Sequence, residues 1–110
     1  MPVSPKLAEN VYSALNYETV AASQTAQVLG TAGSIGDVIS HILVVPASTS
    51  PGAVTLIDNA TSITVFAGGT DSVSSLVPFV IPLGMLSASG PFKITTGDSV
   101  SCIAVGSFNS

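Results

Sequence analysis

Charge is what this chain has least of. Of its 110 residues, 7% are charged, and none is arginine; soluble globular domains average about 25%. The full set is Lys6, Glu9, Glu18, Asp37, Asp58, Asp71, Lys93 and Asp98. Two scattered lysines cannot neutralise a run of phosphates, which disfavours nucleic acid as a partner. A polybasic membrane anchor is excluded on the same ground. Tryptophan is absent, and the two tyrosines, Tyr12 and Tyr17, both fall near the N-terminus. Little is left to stack on a sugar ring. The single cysteine, Cys102, rules out an intramolecular disulfide framework.

Long apolar runs are missing as well. The longest, Leu76–Leu86, is interrupted by Pro78, Pro82 and Gly84, whereas a spanning helix needs roughly 20 apolar residues. No apolar stretch before a small-residue cleavage site heads the chain in the manner of a secretory leader. The sequence therefore predicts a soluble protein made in a cytoplasm. Intrinsic disorder is disfavoured by a mean hydropathy of +0.66. One domain fits this length and two do not.

What the chain does have is hydroxyls: 17 serines and 10 threonines. A hydroxyl-rich surface of low charge is poor at keeping copies apart, but it desolvates far more cheaply than unpaired charges do. That balance suits a component of an assembly better than a free monomer. The plainer reading is a small β domain with a Ser/Thr surface.

Two regions separate by composition. Residues 1–23 hold three of the charges and both tyrosines. Ser4-Pro5 suits a helix start, with Leu7, Val11 and Leu15 on one side. This stretch reads as an N-terminal arm, partly helical or extended, which need not belong to the core. Left in water, Leu7, Val11, Tyr12, Leu15 and Tyr17 would each forgo roughly 1.5–3 kcal/mol of burial, so they are the expected interface residues of the arm with a neighbour. From residue 24 to 110 the sequence predicts a single antiparallel β-sandwich. Turn formers recur every eight to twelve residues, at Thr31–Gly36, Pro46–Gly52, Asp58–Thr61, Ala67–Asp71, Ser87–Pro91 and Gly97-Asp98. The strands expected between them are Thr25–Leu29, Asp37–Val45, Ala53–Ile57, Ser62–Phe66, Val77–Leu83, Phe92–Thr96 and Val100–Phe108. Ile39–Val45 is apolar on both faces except at Ser40 and His41, which places it centrally or with its second face on the arm or another subunit. Pro78 and Pro82 point to an edge or bulged strand. Gly97-Asp98 predicts a tight hairpin.

Catalytic and metal chemistry find no footing. His41 is the sole histidine; in a regular strand Asp37 would lie roughly 13 Å away, and no nucleophile elbow accompanies the pair. Cys102 reads as a buried small hydrophobe, since a structural zinc needs about four Cys/His ligands. Asp37, Asp58, Asp71 and Asp98 sit singly at turns, without the alternating spacing of a calcium loop, and turn chemistry accounts for each. Gly68-Gly69 lacks the lysine and helix of a phosphate cradle and reads as a turn of positive φ. The expectation is a non-enzyme with no cofactor, no metal and no catalytic residue.

The stretch Asp37–Phe108 resembles a known group. "ISHILVVPASTSPGAVTLIDNATSITVFAGG" followed by "PFVIPLGMLSASGPFKITTGDSVSCIAVGSF" has a PGAV-x-L-x-D hairpin, a P-x-x-I-x-L strand, a GP-x-K-I-T-T-G hairpin and a closing Val/Ile-rich strand. This outline is similar to the small jelly-roll cement (decoration) proteins of tailed-phage capsids. The resemblance covers about two-thirds of the chain and contains no chemical motif. It implies a jelly roll, homotrimers seated on the outside of a virion shell, the major capsid protein as partner, and no catalysis. A tail or head-fibre component of the same fold, or a small ligand- or glycan-binding module, are the alternatives.

Overall fold

The computed structural model describes residues 15–30 and 35–108. Among these there are eight strands: β1 (Asn16–Val20), β2 (Gln27–Val28), β3 (Val38–Pro46), β4 (Val54–Asp58), β5 (Thr61–Phe66), β6 (Phe79–Leu86), β7 (Phe92–Thr96) and β8 (Val100–Ser107). They build two four-stranded sheets, β1-β8-β3-β6 and β2-β7-β4-β5. Every neighbouring pair is antiparallel. The chain is an all-β sandwich.

Alternation dictates this arrangement. In β8 the side chains of Val100, Cys102 and Ala104 turn inward, with Gly106 at the next inward position, and those of Ser101, Ile103, Val105 and Ser107 turn outward. β7 does the same, with Phe92, Ile94 and Thr96 buried. The inner residues of both sheets meet in one core. Val20, Ile39, Ile42, Val44, Val100, Cys102 and Ala104 come from the first sheet, Val54, Leu56, Phe92 and Ile94 from the second, and Leu29 and Phe108 fill in beside them. Each such burial is worth roughly 1.5–3 kcal/mol. With six charges of one sign and only two of the other, little else is available to hold the fold.

β3 lies between β8 and β6, the central position its two-sided apolarity predicts. β6, with Pro82 inside it and Pro78 just before it, is an edge strand, also as predicted. A bulge interrupts β3: the register to both neighbours shifts between Ile39 and His41. Ser40 and His41 consequently both escape the core, while Ile39 and Ile42 on either side are fully buried. On β6 the same irregularity falls at Gly84, whose φ of +59° suits a bulge. That glycine does not end the strand, which runs on to Leu86 instead of stopping at Leu83.

Gly97-Asp98 is not a hairpin. β7 and β8 belong to different sheets, so the link is a corner that carries the chain across the sandwich. The corner is pinned to the loop before β4: Gly52 N–H donates to the Asp98 carbonyl and Gly97 N–H to the Ala53 carbonyl, each at 2.8 Å. A Cβ on Gly97 would stand 2.8 Å from the Gly52 Cα. Two glycines are needed for the backbones to pass this closely.

The segment expected as strand Thr25–Leu29 forms a ladder only at Gln27–Val28. Ala26 has a φ of +49°, and threonine hydroxyls replace ladder bonds just before β2: Gln24 N–H donates to Thr96 Oγ1 at 3.0 Å and Ala26 N–H to Thr95 Oγ1 at 2.9 Å.

The stretch 1–23 overlaps the sandwich. Asn16–Val20 is β1, paired along its whole length with β8, and Val20 is fully buried. The reading of 1–23 as a segment apart from the core is corrected for these residues: β8 would otherwise be an edge, and Val20 fills the core opposite Cys102. Leu7, Val11 and Tyr12 lie outside the described residues.

Candidate interaction surface

His41 Nδ1 lies 3.1 Å from the hydroxyl of its neighbour Ser40. Asp37 is buried just before β3, and the bulge at Ser40 breaks the alternation that the two positions would otherwise share. Cys102 is buried in the core, and burial pushes its thiol up to about 11. That leaves almost no thiolate at neutral pH. Among the described residues no three His, Cys, Asp or Glu side chains cluster as metal ligands. Gly68 and Gly69 both adopt positive φ, +65° and +111°, as a tight turn demands.

Each acidic side chain with resolved partners has structural work. Asp58, at the end of β4, accepts from Ser87 Oγ and from the backbone N–H groups of Ala88, Ser89 and Gly90, at 2.8 to 3.3 Å. Desolvation pushes its pKa up, but the four hydrogen-bond donors together outweigh that and leave it below its ordinary value. Glu18 on β1 ties the two sheets: its Oε2 accepts from Gln27 Nε2 at 2.9 Å and its Oε1 from Gly30 N–H at 2.8 Å. Asp98 accepts from Ser23 Oγ at 2.7 Å. Among the described residues no buried side-chain polar atom lacks a hydrogen-bond partner.

The distinctive feature is the outer face of β1-β8-β3-β6. Alternation turns Tyr17 outward on β1, Ile103 and Val105 on β8, Leu43 and Val45 on β3, and Val80, Pro82 and Leu86 on β6. The registers bring them side by side: Tyr17 opposite Val105, Leu43 opposite both Ile103 and Val80. Thr19, Ser40, His41, Ser101 and Ser107 are the polar groups among them, and no Asp, Glu or Lys is present. Tyr17 is 71% exposed, Val80 55% and Leu86 66%. At the β1 end of this face an open depression of about 500 Å³ is lined by Thr19, Ala21, Ala22, Val45, Ser101 and Ile103, again without a charge.

Of the sequence-predicted interface residues, Tyr17 stands on this face, and Leu15 is half-buried just before β1. The outward residues of β3, β6 and β8 are the addition. Their signal was present in the two-sided apolarity of Ile39–Val45, and in Ile103 and Val105 on the non-core positions of the last strand. No family model, no curated protein and no solved structure matches this chain.

Proposed function

We propose that this protein is a non-enzymatic structural component of a virion, a cement protein that binds the outside of a phage shell and stabilises it. In this reading its fold is a jelly roll, its partners are the major capsid protein and further copies of itself in a homotrimer, and its site of action is the capsid surface. The strand order supports the jelly roll: every connection but β4–β5 passes from one sheet to the other, as in eight strands wound as two Greek keys. The resemblance of Asp37–Phe108 supports the cement role. The observation that carries an assembly function is the uncharged, apolar outer face of β1-β8-β3-β6. A free monomer has no use for such a surface, and an assembly protein needs one. The residues before β1 belong to this proposal too: Leu7, Val11 and Tyr12, with Leu15 and Tyr17, contact a neighbouring subunit or the shell.

The test is titration of the purified protein onto capsids that lack it. Saturable binding with a rise in the temperature of capsid disruption is expected. Absence of saturable binding, with capsid stability unchanged, overturns the cement reading.

A further inference from the structure

Among the described residues, the seven large hydrophobic side chains that stand exposed are not spread evenly. Tyr17, Val80 and Leu86 lie on β1 or β6, and Ile35, Leu76 and Val77 lie in the segments leading into β3 and β6; only Ile63 belongs to the other sheet. The exposed apolar surface is thus concentrated on one sheet and its ends.

Charge is arranged in the opposite sense. Lys93 is on β7 and Asp58 on β4, both in the second sheet. Asp71 and Asp98 are in loops, Asp37 is buried, and the Glu18 carboxylate is engaged between the sheets. The chain carries a net charge of −4, so two copies repel each other at most orientations. The first sheet's outer face is where they meet without bringing like charges together.

Area points the same way. Four strands spaced about 4.8 Å apart and about eight residues long make a face of roughly 500 Å². Ile35, Leu76 and Val77 extend it at both ends, towards the roughly 800 Å² per partner of a stable interface. Of the two edges beside this face, that of β6 is a poor site for strand addition, because Pro82 in the middle of it has no N–H to donate.

We propose that the outer face of β1-β8-β3-β6 is the surface by which copies of this chain bind one another, with Leu43 and Ile103 at its centre and Tyr17 and Val80 on its two edge strands. The proposal rests on the reading of the chain as an assembly protein, and it is independent of the shell: it is tested without capsids.

The experiment is sedimentation equilibrium of the full chain from about 1 to 100 μM, compared with three variants. Val80→Asp and Tyr17→Asp place a charge at exposed positions on opposite strands of the face. Thr64→Asp places one on the outer face of the other sheet. The wild type is expected to sediment at a multiple of its chain mass. Each of the first two variants should raise the dissociation constant at least tenfold with an unchanged β-sheet circular dichroism spectrum, and Thr64→Asp should not change it. Because the two face positions lie on different strands, misfolding of one variant leaves the other to decide. A wild type that is monomeric throughout, or face variants that associate as the wild type does, overturns the proposal. So does a full chain that is monomeric while a variant lacking residues 1–14 associates, since the face is then covered by the chain's own N-terminal residues. Capsid binding by a protein that stays monomeric would uphold the cement reading and sink this one; a mass shift without capsid binding does the reverse.

Discussion

The two sheets of this sandwich have matching inner faces and opposite outer ones. Inside, β8 and β7 alternate in the same way and contribute to one apolar core. Outside, the second sheet shows Thr55, Ser62, Thr64, Lys93 and Thr95 around the half-buried Val28 and Ile57, a mostly polar surface. The first shows Leu43, Val80, Ile103 and Val105. Folding requires the inner faces to be apolar and is indifferent to the outer ones. The apolarity of the first sheet's outer face therefore reflects something other than the fold. The contrast also separates two kinds of residue: those that hold the chain together, and those left over for a partner.

The inner side of the first sheet has one position with no counterpart in the second, and substituting it should have the largest effect. A Cβ on Gly106 would fall on the Val38 carbonyl, the Ile39 Cα and the ring of Phe108. Two of those are backbone in the neighbouring strand, next to the bulge, and cannot rotate away. Gly106→Val is expected to cost more than about 3 kcal/mol, at the upper end of overpacking penalties, and to give little folded protein at 37 °C. The check is urea denaturation at low temperature. A midpoint near that of the wild type would mean that β3 and β8 are farther apart than described.

Next come the matched core positions. Ile42 in β3 and Leu56 in β4 are both fully buried, one in each sheet. Ile42→Ala and Leu56→Ala should each cost about 2–5 kcal/mol. Equal losses support one shared core. A loss confined to one sheet would break the symmetry between the inner faces and leave the sheets folding as separable units.

The third prediction concerns what ties the sheets at one end. Asp58 belongs to the second sheet, and the loop it holds, Ser87–Gly90, follows β6 of the first. Its pKa is held below the ordinary carboxylate value by its hydrogen bonds to that loop, while in the unfolded chain it titrates near 3.9. A depressed folded pKa gives stability that is present above the unfolded value and is lost as pH falls through the folded one. Stability should therefore decline below about pH 4, and Asp58→Asn should flatten that part of the profile. Thermal denaturation from pH 2.5 to 6 checks it. An unchanged acid limb in the variant would assign the decline to another carboxylate.

Much of this was legible in the amino-acid sequence, and the reason is periodicity. Phe92, Ile94 and Thr96 against Lys93 and Thr95 define a strand with the bounds observed. Pro82 in β6 and Pro78 just before it foretell the strand's place at an edge. What local pattern does not encode is which strands pair. Gly97-Asp98 has the composition of a hairpin turn and is a corner, because the choice between the two is made by Gly52, some forty-five positions upstream. Nor does pattern foretell the shortness of β2, where Thr95 and Thr96 hydroxyls stand in for ladder bonds. β1 was obscured by its composition: in Asn16–Val20 only Val20 faces the core, and the inward Glu18 is satisfied by Gln27 and Gly30. A strand whose inner side carries a carboxylate does not look like a core strand. The candidate surface was half visible, since an apolar residue opposite a core residue can mean either a buried second face or an exposed one.

The smallest effect, and the one that bears most directly on the outer faces, is that of polar substitutions there. Val80 and Leu86 are more than half exposed already. Val80→Thr keeps the β-branched shape that strands favour and removes one methyl group from water-facing surface. Leu86→Thr removes more apolar area at the end of the same strand. In the isolated monomer each should change stability by no more than about 0.5 kcal/mol, the range of surface substitutions away from special features. The reciprocal change on the second sheet, Thr64→Val, should be equally mild, because Thr64 is exposed. Urea denaturation at concentrations low enough to keep the chain monomeric separates this from any effect on association. If Val80→Thr or Leu86→Thr costs as much as Ile42→Ala, the outer face of the first sheet is part of the folding core and is covered within a single chain. If the cost is negligible in the monomer but grows with protein concentration, the stabilisation that these side chains give comes from what they touch in an assembly.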